Sequence, residues 1–81
     1  MHYEVEVIVP LPLDDRARRF LSEVQRSANQ VLRFHGDDRA ITLTVEAHAL
    51  DPDGAVRAAR GEVARIYPSV PFVVSGQPVP R

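Results

Sequence analysis

Hydrophobic and polar positions along this chain fall into six stretches with two different periods. From Tyr3 to Val9 the residues alternate. Tyr3, Val5, Val7 and Val9 share one side, with Glu4, Glu6 and Ile8 on the other, the period of a strand with one buried face. Pro10-Leu11-Pro12 ends the run, because proline cannot donate to a strand ladder. Asp14 or Asp15 can then cap a helix whose apolar stripe is Ala17, Phe20, Leu21, Val24 and Ala28, spaced for one face of a 3.6-residue period. Asp14–Arg18 and Asp15–Arg19 are favourably spaced i,i+4 pairs on its outer side. Asn29-Gln30 breaks the pattern, and Val31 to His35 reads as a short strand with Leu32 and Phe34 inward. Gly36-Asp37-Asp38-Arg39 supplies turn residues. Ile41, Leu43, Val45, Ala47 and Ala49 then alternate with Thr42, Thr44, Glu46 and His48. Asp51-Pro52 is an acidic cap followed by proline at the first helical position. Val56, Ala59, Val63 and Ile66 form the second helical stripe, with Tyr67 beside it, and close packing against the sheet would account for Gly61. Pro68 stops this helix. Phe72-Val73-Val74 makes a last short strand, and residues 77–81 read as an extended tail after a single domain of residues 1–76.

Strand, helix, strand, strand, helix, strand is the order of a ferredoxin-like α+β sandwich: one four-stranded antiparallel sheet with two helices on one face. In that fold the spatial order is 4-1-3-2, so the first and third strands are central neighbours. Matching the inward residues Val5 with Val45 and Val7 with Leu43 sets a register. It places Glu4 opposite Glu46 and His2 opposite His48 on the uncovered face, with Cβ atoms ~5 Å apart. A one-residue slip would turn the valines to water.

Two glutamates directly opposed across a sheet repel unless something compensates. The leading expectation is that the face is an interface. A homodimer would pack sheet on sheet, with Arg33 or a helix arginine of the partner neutralising Glu4 and Glu46. Glu6, Ile8, Val31, Thr42, Thr44 and His48 would complete the contact. The 81 residues bury a small fraction of unfolded surface compared with larger domains, and self-association adds to it. A second expectation is a divalent metal held by His2, His48 and one or both of Glu4 and Glu46, a nitrogen–oxygen donor set suited to zinc. The simplest alternative is a solvated face that binds nothing.

Composition removes several function classes. The chain has no cysteine, so disulfides, thiolate metal sites and cysteine nucleophiles are excluded. No apolar run approaches the ~20 residues of a membrane span. Met1 leads straight into a strand pattern without the basic and apolar regions of a signal peptide, so the cytoplasm is the expected location. All ten basic residues are arginine, with abundant alanine and valine, the usage of a GC-rich bacterial genome, and the net charge is −1. Nucleic acid is not an expected partner. The outward positions of the central strands carry Glu4, Glu6, Thr42, Thr44 and Glu46 in place of the aromatic rings that stack bases. The loop after the first strand has no glycine to bring backbone N–H groups onto a phosphate. Ser22, Ser27, Ser69 and Ser75 have no triad partners in the sequence, and no cofactor motif is present. Asp51-Pro52-Asp53-Gly54 is explained as a helix start, without the remaining ligands of a calcium loop.

One enzyme reading rests on Val9-Pro10-Leu11-Pro12 after the first strand and Tyr67-Pro68-Ser69-Val70-Pro71-Phe72 before the last. In element order, length and these two stretches the chain resembles dimeric α/β-barrel proteins, among them muconolactone isomerases and small cofactor-free monooxygenases. The resemblance implies two sheets enclosing a pocket for a small organic molecule, lined by Glu4, Glu46 and His48. It transfers no catalytic residue. A non-catalytic, self-associating interaction module is therefore the principal expectation.

Overall fold

The computed structural model describes residues 1–28 and 30–81, with Ala28 described by its backbone alone. Six elements follow the expected order: β1 (His2–Val9), α1 (Asp15–Ala28), β2 (Val31–Gly36), β3 (Ile41–His48), α2 (Pro52–Ile66) and β4 (Val73–Pro80). They form one antiparallel sheet in the order β2-β3-β1-β4, a ferredoxin-like α+β fold. The central register places Val5 opposite Val45, Val7 opposite Leu43, Glu4 opposite Glu46 and His2 opposite His48.

The alternation in β1 and β3 does what a period of two requires. Tyr3, Val5, Val7 and Val9 join Ile41, Leu43, Val45 and Ala47 in the core, beneath Leu21 of α1 and Ala55, Ala59 and Val63 of α2. Sequence and structure agree on both helix starts. Asp14 accepts the backbone N–H of Ala17, and Asp51 accepts that of Gly54 at 2.7 Å. Pro52 occupies the first position of α2, where its missing N–H costs nothing.

Four local expectations change. Phe20 is 43% exposed, and among the described side chains of the α1 stripe only Leu21 is fully buried. The helix lies rotated towards Leu21, and its main contact is with β2. Ala28 of the same stripe and the break at Asn29 fall outside the described side chains. Val31 faces the core and not the open face, because β2 carries a bulge. Val31 pairs with Val45 and Phe34 with Leu43, so three steps on β2 span two on β3 and Leu32 is the extra residue. In α2, Ala55 is buried where Val56 was expected to be, and Gly61 meets nothing within 4 Å of the position a Cβ would take, so close packing does not account for it. The expected pairs Asp14–Arg18 and Asp15–Arg19 are not among the ion pairs of the described residues. The helices carry Glu23–Arg26 and Glu62–Arg65 at i,i+3 instead.

The C-terminal segment is the largest difference. β4 runs on to Pro80 and so takes in most of the segment read as a tail. Tyr3 pairs with Pro80 and Glu4 with Val79, while Glu6 pairs with Ser75 across a shift in register. Gly76 sits inside that shift at φ +72, a left-handed conformation that glycine adopts without steric cost. Pro78 and Pro80 are tolerable because β4 is an edge strand. At the hairpin between β2 and β3, a Cβ on Gly36 would overlap the Ala40 carbonyl. Asp37 closes that turn by accepting the N–H groups of Arg39 and Ala40 at 2.8 and 3.0 Å. These two donors hold its carboxyl below the usual aspartate value.

Candidate functional site

The face of the sheet opposite the helices gathers most of the residues singled out from the sequence. Along β1 and β3 it presents His2, Glu4, Glu6 and Ile8 beside His48, Glu46, Thr44 and Thr42. Arg33 enters from β2 opposite Thr44. Val31 is the exception, turned to the core by the bulge.

The conflict between the two opposed glutamates is resolved within the chain. Arg33 donates to Glu4 at 2.7 Å. Arg81 reaches back over the sheet, donating to Glu46, with its Nε 3.4 Å from the second carboxylate oxygen of Glu4. The Arg81 backbone N–H also donates to the His2 carbonyl at 2.9 Å, which fixes the end of the chain beside β1. Two guanidinium groups therefore engage two carboxylates in a linked series of contacts, Arg33 to Glu4, Glu4 to Arg81 and Arg81 to Glu46. Charge-assisted contacts of this kind need no partner molecule to supply the cation, so the neutralisation expected from a second copy is met by this one.

The two histidines complete the row. His2 and His48 stack with ring centroids 4.5 Å apart and planes 10° apart. His2 Nδ1 lies 3.7 Å from the Glu46 carboxylate. The four residues considered for a metal are thus brought together. Among the described residues, however, no group of three or more His, Asp or Glu is arranged to hold an ion. The stack directs the imidazoles at each other, and both carboxylates are engaged by arginine. A metal would have to displace Arg33 or Arg81 before it could use them.

No protein family model, curated protein or solved structure matches this chain.

Between the charged row and the β4 edge lies a shallow depression of about 370 Å³, lined by Glu6, Thr44, Ser75 and Gln77. Thr44 forms its floor and is only 2% exposed although it lies on the open face. Glu6 flanks it on β1 and Arg33 on β2. Two exposed valines of β4 adjoin it, Val79 as part of its lining and Val73 beyond it. Val73, opposite Ile8, is 63% exposed, and Val79, opposite Glu4, is 60% exposed. Both belong to this face, since residues directly opposite in an antiparallel pair share a side.

Sequence reasoning missed Arg81, Val73, Ser75, Gln77 and Val79 as members of the face. All five lie on or just beyond β4, whose continuation past Val74 is hidden by Gly76, Pro78 and Pro80. One signal was available. β1 has eight residues, and a three-residue β4 would leave most of its outer ladder unpaired, a costly state for backbone groups in a small sheet.

The helical layer is different in character. Arg16, Arg18, Arg19, Arg57 and Arg60 have no carboxylate within 4 Å among the described residues, and Arg60 lies over the Phe72 ring at 5.7 Å. No helix is long and apolar enough to cross a membrane among the described residues.

Proposed function

We propose that this protein is a small cytoplasmic interaction module that forms a homodimer by packing the open faces of two sheets together, and that it performs no chemistry of its own. The observation that carries the reading is the internal neutralisation of Glu4 and Glu46 by Arg33 and Arg81. Covering isolated charges is costly, whereas charges already paired and hydrogen-bonded lose far less on leaving water. Ile8, Val73 and Val79 supply apolar area around that row. A two-fold axis through the face would let the same patch serve both copies, with the sheets about 10 Å apart as in sandwich cores.

A second reading is supported by the depression beside Thr44. If two such depressions face each other, the dimer encloses a polar cavity, and the protein is an enzyme of the dimeric α/β-barrel type acting on a small organic molecule. Glu6 and Ser75 would then line the cavity.

Sedimentation equilibrium across micromolar concentrations tests the dimer. Wild type should be a concentration-dependent dimer, and Val73→Arg should be monomeric with an unchanged far-ultraviolet spectrum. A wild type that stays monomeric throughout would overturn both readings. Turnover of a small substrate that is lost in Glu6→Gln would replace the first reading by the second.

A further inference from the structure

Glu6 is the one carboxylate of the open sheet face that no basic group approaches within 4 Å among the described residues. It stands directly opposite Thr44 on β3 and Ser75 on β4, and Thr44 in turn stands opposite Arg33 on β2. Opposed residues share a side of the sheet, so Arg33, Thr44, Glu6 and Ser75 form one row across all four strands. Arg33 does not serve Glu6, because its guanidinium donates to Glu4 at 2.7 Å. The whole row lines the depression of about 370 Å³, a volume within the range of small-ligand sites.

The β4 side of the depression is shaped by the shift in register between β1 and β4. Gly76, inside that shift, adds no side chain, and a Cβ there would meet nothing within 4 Å, so the space beside Ser75 stays open. Arg33 bounds the depression on β2, and Gln77 and Val79 bound it on β4. Its charged lining residues are Glu4, Glu6 and Arg33. Glu4 and Arg33 answer one another, which leaves the charge of Glu6 unbalanced. A concave wall of one sign concentrates its field on whatever enters.

We propose that this depression binds a small primary amine in its ammonium form, the nitrogen at Glu6 and the hydrocarbon along Val79. An ammonium has three N–H donors and no acceptor. The Glu6 carboxylate, the Ser75 hydroxyl and the Gln77 side-chain carbonyl are acceptors within one lining. A neutral ligand leaves the carboxylate without a counter-charge, and an anion is repelled by it. Val79, 60% exposed, is the apolar wall. The ligand class rests on the second reading above, since the depression is the same, yet every residue involved belongs to one chain.

Butylamine and butanol, which differ in charge and little in shape, are the probes. Each is titrated at neutral pH and low salt into the ¹⁵N-labelled full chain, and the backbone amides of Glu6, Thr44 and Ser75 are followed. Wild type should bind the amine about tenfold more tightly than the alcohol, the scale of one hydrogen bond to a charged group that keeps contact with water. In Glu6→Gln the preference should vanish while butanol binding persists. Equal affinity of the two probes for wild type, no saturable shift at these amides, or a preference that survives in Glu6→Gln would each overturn the proposal. The wild-type ratio decides the matter even if the variant does not fold. Sedimentation equilibrium of the same samples keeps this result apart from the dimer. A monomer that prefers the amine upholds the site and removes the enclosing dimer, whereas a dimer without the preference removes the site alone.

Discussion

The two faces of this sheet are built from the same strands by different physics. Leu43 and Thr44 are adjacent on β3 and both almost wholly buried. Leu43 points into a continuous apolar core, whereas Thr44 lies on the floor of a polar depression beside an ion-pair row. On the covered face, packing density decides what is tolerated. On the open face, the sign and reach of charged side chains decide it. A mutation on the first face should therefore act through volume and be blind to salt. One on the second should act weakly through charge and fade as salt is added.

The sharpest test of that contrast is Leu43→Ala, which should cost about 2–5 kcal/mol of unfolding free energy, equally at low and high salt in urea titrations. A cost below that of any open-face substitution would break the comparison. Tyr67→Phe, on the covered side, should raise stability by about 1–3 kcal/mol by removing a buried hydroxyl that has no hydrogen-bond partner among the described residues. Its pH dependence carries a sign. The folded state holds the Tyr67 proton more tightly than the unfolded chain. The wild type should therefore lose stability as pH rises through about 10, and the variant should lose less, in thermal melts at pH 8 to 11.

Gly61→Ala should stabilise by about 0.8–1 kcal/mol, since an added methyl meets no neighbour. A loss of stability there would mean that the exposed side of α2 is occupied by something else. The smallest effect belongs to the open face. Arg81→Ala should cost less than about 1 kcal/mol at low salt and less still at high salt. Adding Glu46→Gln should recover part of that cost by removing the opposed charge. A cost of several kcal/mol that ignores salt would place Arg81 with Leu43 and end the distinction.

The covered face was legible in the sequence almost residue by residue, because burial of one side of a strand writes itself as alternation. Val5, Val7, Leu43 and Val45 set the register of the whole sheet, and Asp14 and Asp51 marked both helix starts. What could not be read was whatever a local irregularity displaced. The bulge at Leu32 exchanged the sides expected for Val31, and nothing in Val31-Leu32-Arg33 announces it. The alternation of β4 was broken by Gly76 and two prolines, so its outer half read as a tail. The open face was legible as a problem and not as its solution. The alternation puts Glu4 opposite Glu46, as the structure has it, and points to Arg33 as a neutralising residue, but from a partner and not from the same chain. Arg81 was beyond reach, because its contact with Glu46 depends on β4 pairing to its end. Ion pairs across distant segments leave no period in the sequence.

In the proposed dimer the internally neutralised face, and not the arginine-bearing helical layer, receives the second copy of the chain. Isotope-filtered NMR on a mixture of ¹³C-labelled and unlabelled protein tests it most directly, through contacts that can arise only between copies. Intermolecular cross-peaks are expected from the methyl groups of Ile8, Val73 and Val79. Intermolecular cross-peaks from Phe20, Val24 and Ile66 on the helical side, with none from the sheet face, would contradict it.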